Sequence, residues 1–238
     1  MEVKCGLEPL RFAVYQGIME LAVEFLALTI ERLCLRLDEV SLSYNGGKDC
    51  LVLLILFLAA LYEIPSFRSS PSSHLQSVYI VSPHPFKEVD DFVEHSISTY
   101  HLNLARYAKP MKEAFADYLH DHPSVKAIMV GTRRTDPHGA ELKHFDPTDR
   151  GWPTFMRVHP VIDWHYAEIW AFIRHLEIPY CPLYDRGYTS LGGTTDTHPN
   201  PSLRLNSATE NEVEASSKTH FRPAYELVAD DDERLGRD

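Results

Sequence analysis

The sequence predicts an α/β protein, a mostly parallel twisted sheet with helices on both faces. Three observations point there. Short runs rich in Val, Ile and Tyr alternate with helix-length segments, and two Gly-bearing turns fall where those runs end. A chain of 238 residues with 44% hydrophobic content is also long enough for one sizeable core.

The elements follow in order. Apolar residues at helical spacing between Pro9 and Leu37, among them Phe12, Tyr15, Ile18 and Met19, predict an N-terminal helical segment over 1–37. Glu39–Tyr44 predicts a short strand. Lys48–Tyr62 predicts a helix whose near-uniform apolarity implies burial on several faces. A Ser/Pro-rich surface loop, Phe67–His74, leads to a second strand at Ser77–Val81 and a helix over Phe86–Tyr100. A third strand is expected at Leu102–Tyr107, a helix at Met111–His120 and a fourth strand at Val125–Val130. Beyond Gly131 regularity fades. His138–Pro153 reads as a polar loop, Phe155–Val161 as extended chain, and Trp164–Leu176 as a helix following Asp163. The polar, acidic stretch 205–220 reads as a flexible loop before an 18-residue tail, 221–238.

Bulk properties exclude several classes. The formal charge of −11 argues against a general nucleic-acid binder. The eleven apolar residues Leu51–Leu61 fall short of the roughly 20 that a membrane span needs. Cys5, Cys34, Cys50 and Cys181 are scattered without a paired framework, as expected of reduced thiols. The N-terminus lacks a signal-peptide pattern, so a cytoplasmic protein is expected, with a mitochondrial pool left open. Protein partners are not legible.

The chemistry concentrates in two places. Asn45-Gly46-Gly47-Lys48-Asp49 lies between a strand and a helix, where glycines admit close approach and the helix opening offers free N–H groups. Phosphate is the natural occupant, with Lys48 adding a point charge. The alternative is a plain tight turn with a solvent-facing lysine. GxxxxGK[ST] and GxGxxG are both excluded by spacing. The second place is Gly131-Thr132-Arg133-Arg134-Thr135-Asp136, followed by Asp149-Arg150-Gly151-Trp152 and Arg157. Arginines suit bidentate phosphate recognition, while Trp152 and Phe155 suit the walls of a flat ring. Taken separately, the same residues read as a solvated Arg pair, a turn and a core Trp, with Asp163 as a helix N-cap. His84, His138, His144, His159 and His165 show no metal-ligand spacing and read as surface residues or supports for their neighbours.

Ser43–Cys50 resembles the pyrophosphate-binding loop, written SGGxDS, of enzymes that split ATP between its α and β phosphates. Asn45 replaces the first serine and Cys50 the last. Together with the segments at 131–137, 147–170, 179–203 and 221–238, it resembles the eukaryotic-type FAD synthase (FMN adenylyltransferase) family. That family belongs to the phosphoadenylyl-sulfate (PAPS) reductase-like, adenine nucleotide alpha-hydrolase-like superfamily. The resemblance implies a single PAPS reductase-like domain over 1–238, a tail closing on the site, and transfer of AMP from ATP to FMN. The products would be FAD and pyrophosphate, with Mg2+ as cofactor.

The same resemblance implies ATP contacts at Ser43, Tyr44, Asn45, Gly46, Gly47, Lys48, Asp49, Val81, Ser82, Gly131, Thr132 and Asp163. It implies flavin contacts at Arg133, Arg134, Asp136, Asp149, Arg150, Gly151, Trp152, Arg157, Arg234 and Arg237. Asn45, Lys48, Asp49, Asp149 and Arg237 would carry catalysis, and Asp49 would orient the loop or reach the metal, directly or through water. A sulfonucleotide reductase is the enzyme alternative, but no cysteine follows Cys181 to serve as its C-terminal nucleophile. A flavin- or nucleotide-binding module without turnover is the other.

Overall fold

The computed structural model describes residues 36–64, 74–205 and 220–238, with positions 20, 23 and 24. The helices expected over 1–37 and the loops expected at 67–74 and 205–220 lie almost wholly outside the described residues.

Among the described residues, six strands form one sheet: β1 Val40–Ser43, β2 Leu75–Ile80, β3 Leu102–Tyr107, β4 Ala127–Met129, β5 Phe145–Pro147 and β6 Met156–Val158. Among the described residues they are accompanied by helices α1 Lys48–Glu63, α2 Lys87–Tyr100, α3 Met111–Asp121 and α4 Tyr166–His175. The strand order is β3-β2-β1-β4-β6-β5, parallel throughout except for β5, which runs antiparallel to β6 at one edge. Strand alternation sends Ala127 and Met129 to one face, into the core built with α1, α2 and α4. Ile128 points to the other face, where Phe115 and Tyr118 of α3 cover it. The Tyr118 hydroxyl donates to Ser41 Oγ at 2.6 Å, fixing α3 against that face. Helix α1 is apolar because it is enclosed: Leu51, Val52, Leu53 and Leu54 have no exposed surface.

Two expectations beyond Gly131 need correction. The stretch 138–153 is not wholly loop, because Phe145 pairs with Val158 and Asp146 with Arg157 in β5. Pro147 ends that strand, a position an edge strand tolerates. The last helix opens at Tyr166 rather than Trp164, and its N-cap is His165, not Asp163. The Glu168 carboxylate accepts the His165 N–H at 2.7 Å, while Trp164 closes a turn onto the Val161 carbonyl.

Candidate active site

Strand β1 pairs with β4 in the register Val40↔Ala127 to Leu42↔Met129, yet the chain visits β2 and β3 before reaching β4. The order reverses between these two strands, where open α/β sheets form a crevice beyond the carboxyl ends. Both Gly-bearing turns emerge there. Gly46 adopts φ +74°, a conformation that favours glycine. The Asn45 carboxamide accepts the Gly47 N–H at 3.0 Å, closing the loop on itself. Across the crevice, a Cβ on Gly131 would sit 2.9 Å from the Cys50 nitrogen, so glycine there keeps the space before the α1 opening clear.

A cavity of about 410 Å³ fills the crevice. Its walls include Asn45, Gly47 and Asp49 of the loop, Gly131 and Thr132 after β4, and Arg234 and Arg237 from the C-terminal tail. A second cavity of about 510 Å³ adjoins it, walled by Val81, Ser82, Lys109 and Gly192–Gly193. Asn45, Met111, Leu191 and Arg237 belong to both, so the two chambers meet at the Asn45–Asp49 loop and the tail arginine.

Beneath the first cavity lies a buried charge network. Lys48 is 2% exposed, and its ammonium points inward to Asp49 Oδ2 at 2.9 Å and to Glu233 Oε1. Arg133 has no exposed surface and faces four carboxylates: Asp49 at 3.0 Å, Asp136 at 3.2 Å, Asp230 at 3.7 Å, and Glu233. Burial opposes the charge on Lys48, but Asp49 and Glu233 outweigh it and hold the ammonium pKa above the ordinary lysine value. Arg133 likewise stays charged against burial, through Asp49 and Glu233. Removing one partner from such a network costs about 3–5 kcal/mol, because the remaining charge stays buried. The α1 opening is also capped: the hydroxyl of the buried Tyr184 accepts the Lys48 N–H at 2.9 Å.

The sequence-expected residues divide accordingly. Ser43, Asn45, Gly47, Asp49, Val81, Ser82, Gly131, Thr132, Asp136, Arg234 and Arg237 come together on the two cavities. Tyr44 does not: it is buried, and its hydroxyl donates to Ser96 Oγ at 2.7 Å. Gly46 packs behind the loop against Val93. Lys48 reaches the cavity wall, but its charge is turned to the tail rather than to the cavity. Arg133, expected on the flavin, has no surface to offer one. Arg134 donates to Asp163 and, at 2.7 Å, to the Leu142 carbonyl, pinning the 139–142 turn. Asp163 is occupied by Arg134, with His144 at 3.5 Å, and lies outside both cavities. His159, expected at the surface or as a support, is 1% exposed and pairs through Nδ1 with the Lys143 carbonyl.

Asp149-Arg150-Gly151-Trp152 forms a turn closed by the Trp152 N–H onto the Asp149 carbonyl at 3.0 Å, with Gly151 at φ +85°. Its Asp149 carboxylate is mostly exposed, 3.5 Å from Arg157. The turn stands outside the two cavities, beside Lys112 in the first turn of α3. Sequence reasoning missed Glu233, Asp230, Tyr184 and Asp196. Glu233 and Asp230 sit in the acidic run before Arg234, and nothing in its composition marks which carboxylates turn inward.

The sequence profile of the phosphoadenosine phosphosulfate reductase domain matches residues 39–125 and 106–199. The chain is 43% identical over 203 residues to the probable FAD synthase of Schizosaccharomyces pombe, covering 84% of this chain and 72% of that protein. It is 36% identical to the longer probable FAD synthase of Caenorhabditis elegans, of which it spans 37%. Among solved structures it is similar to the Candida glabrata FMN adenylyltransferase in complex with FMN and the ATP analog AMPCPP. There the TM-score is 0.84 and the identity 32%, over 94% of this chain and 90% of that one. The same Candida protein in complex with FAD and inorganic pyrophosphate gives a TM-score of 0.85 at 33% identity, over 94% and 88%. With a reversed strand order opening onto paired cavities, and with these identities across most of its length, the chain belongs to the FAD synthase family of PAPS reductase-like proteins.

Proposed function

We infer that the chain is an FMN adenylyltransferase that transfers AMP from ATP to the phosphate of FMN, giving FAD and pyrophosphate. The observation that carries this is the meeting of two cavities at Asn45 and Arg237, which brings two substrates together at one reacting centre. The FMN phosphate is ionised at neutral pH and attacks the α-phosphorus in line, so the reaction needs no general base and no covalent intermediate. The protein's work is positioning and charge stabilisation. The departing pyrophosphate lies on the backbone of Asn45–Gly47 and the opening of α1, with Gly131 leaving room in front of Cys50. With Lys48 and Arg133 committed to buried carboxylates, the positive charge for the phosphates comes from Arg234 and Arg237.

Asp49 would reach a magnesium ion through water rather than directly. One oxygen faces Arg133 and the other Lys48, and among the described residues no three His, Cys, Asp or Glu converge as a cation site. Magnesium would enter with the ATP substrate and supply charge stabilisation at its phosphates. The flavin ring reaches towards the Asp149–Trp152 turn and Arg157. The whole chain works as one domain. Free, buried thiols at Cys50 and Cys181 suit a reducing compartment, and we place the enzyme in the cytoplasm. They do not suit a reductase, because burial pushes their pKa values up to about 12 and about 11, away from the thiolate.

The test mixes the chain with FMN, ATP and magnesium and separates the flavins by chromatography. FAD and an equal amount of pyrophosphate are expected, and none from riboflavin, which lacks the attacking phosphate. Folded protein that binds FMN but forms no FAD would reduce the assignment to a binding module.

A further inference from the structure

In the acidic run Asp230–Glu233, only Glu233 is buried, at 4% exposure. Its carboxylate is divided between two elements. Oε1 accepts from Lys48, the first residue of α1, and Oε2 from Arg133, two residues beyond Gly131 at the end of β4. A single side chain therefore ties the tail to both lips of the 410 Å³ cavity. We propose that Glu233 is the positioning residue that sets the register of the C-terminal tail, and with it the placement of Arg234 and Arg237.

The main chain around Glu233 is fixed as closely as the side chain. Its carbonyl accepts from Thr189 Oγ1 at 2.5 Å, and the preceding Asp232 carbonyl accepts from Asn200 Nδ2 at 2.7 Å. The next residue, Arg234, falls on the cavity wall. A turn closed by the Arg237 N–H onto the Arg234 carbonyl at 2.9 Å then carries Arg237 to the wall both cavities share. There its guanidinium lies over Gly192, where a Cβ would be 2.4 Å from Cζ, and it meets Asp196 at 3.2 Å. The Arg237 Nε is buried without a protein partner. Slippage of the tail by one residue would break the carboxylate and carbonyl anchors together and withdraw both arginines. Lys48 thus serves tail docking through its side chain, while its backbone opens the helix.

The kinetic part of this inference rests on the FMN adenylyltransferase assignment; the structural part does not. The experiment compares Glu233→Gln, the Arg234→Ala/Arg237→Ala variant and the triple variant by FAD formation and by amide hydrogen exchange over residues 224–237. Glu233→Gln is expected to lower kcat about 100-fold, the scale of a misplaced group, and to speed exchange in the tail. The triple variant is expected to be no slower than Arg234→Ala/Arg237→Ala, because the three substitutions remove one function. Losses that multiply, or tail exchange unchanged in Glu233→Gln, would overturn the proposal in favour of simple charge neutralisation. Should Glu233→Gln not fold, Thr189→Val loosens the same residue through its carbonyl and leaves the buried charges intact. It is expected to shift kcat and tail exchange in the same direction, and no change in either would overturn the proposal. If the wild-type chain makes no FAD, the functional assignment fails, and tail exchange in Glu233→Gln still decides the positioning role.

Discussion

The thiol of Cys50 stands 3.0 Å from the Asn45 carboxamide oxygen and 3.1 Å from the Gly47 carbonyl. It braces the Asn45–Asp49 loop from the helix side, while Asn45 braces it from within. Burial pushes its pKa up to about 12, although the Asn45 and Gly47 contacts pull the other way, so the group is a weak donor rather than a nucleophile. A hydroxyl can make the same contacts. Cys50→Ser should therefore keep FAD formation and change stability by only on the order of 1 kcal/mol, measured by denaturant unfolding. Native protein should also resist iodoacetamide until unfolded. Rapid alkylation, or loss of turnover in Cys50→Ser, would show that the thiol does more than brace the loop. The loop's composition led to the expectation of a phosphate, but not to that of the inward turn of Lys48. A lysine at a helix opening reads the same whether its partner is a phosphate or a glutamate 185 residues away.

Elements legible in the sequence are those whose pattern is local. Strands β1 to β4 and helices α1 to α3 form close to their expected bounds, because period-2 and helical patterns need no distant partner. The edge strand β5 was not legible, since three residues ending in Pro147 carry no period, and only pairing with β6 makes them a strand. The start of α4 was displaced for a similar reason. The tail carboxylate of Asp230 accepts the Tyr166 N–H at 2.7 Å, completing from 64 residues away a cap of which Glu168 is the local half. Between elements, Gly131 approaches the α1 opening closely, and its neighbours there are main chain. A Cβ on Gly131 would meet backbone atoms there, Cys50 N at 2.9 Å and the Asp49 carbonyl carbon at 3.0 Å. Backbone cannot swing aside, so Gly131→Ala should cost about 1–3 kcal/mol by overpacking and lower kcat by shifting the loop. Thermal unfolding and steady-state kinetics read the two effects; an unchanged melting temperature would mean that β4 and α1 move apart freely.

Across the whole molecule, the tail is fastened by charge, and part of that fastening responds to pH. His165 Nδ1 lies 2.7 Å from Asp230 Oδ2. The Asp230 contact raises the His165 pKa above its ordinary 6.5 against a smaller burial effect; Glu168 adds to the rise and Arg133 opposes it. Burial pushes the Asp230 pKa up, but the Tyr166 N–H and His165 outweigh it and leave the pKa below the ordinary 3.8. The histidine contribution is therefore complete below pH 6.5 and is lost as pH rises through its raised folded value. The aspartate contribution is complete above pH 3.8 and is lost as pH falls through its depressed one. The stability difference between wild type and His165→Asn should shrink as pH rises from about 6 to about 8, measured by denaturant unfolding at each pH. A difference constant across that range would remove His165 from the fastening. Because the imidazole is well exposed, the effect is screened and modest.

By itself the sequence determined the alternation of strands and helices and the Gly-bearing turns where strands end, because each is written in residues adjacent along the chain; the tail arginines stood out only through the family resemblance. Tertiary structure alone decided which charges face the cavity. Arg133 and Arg134 are neighbours of one type, yet one is sealed among four carboxylates and the other pins an exposed turn to Asp163. Burial is a property of distant elements meeting, and the cost of leaving a buried charge unpaired is what sorts such residues into anchors and ligands.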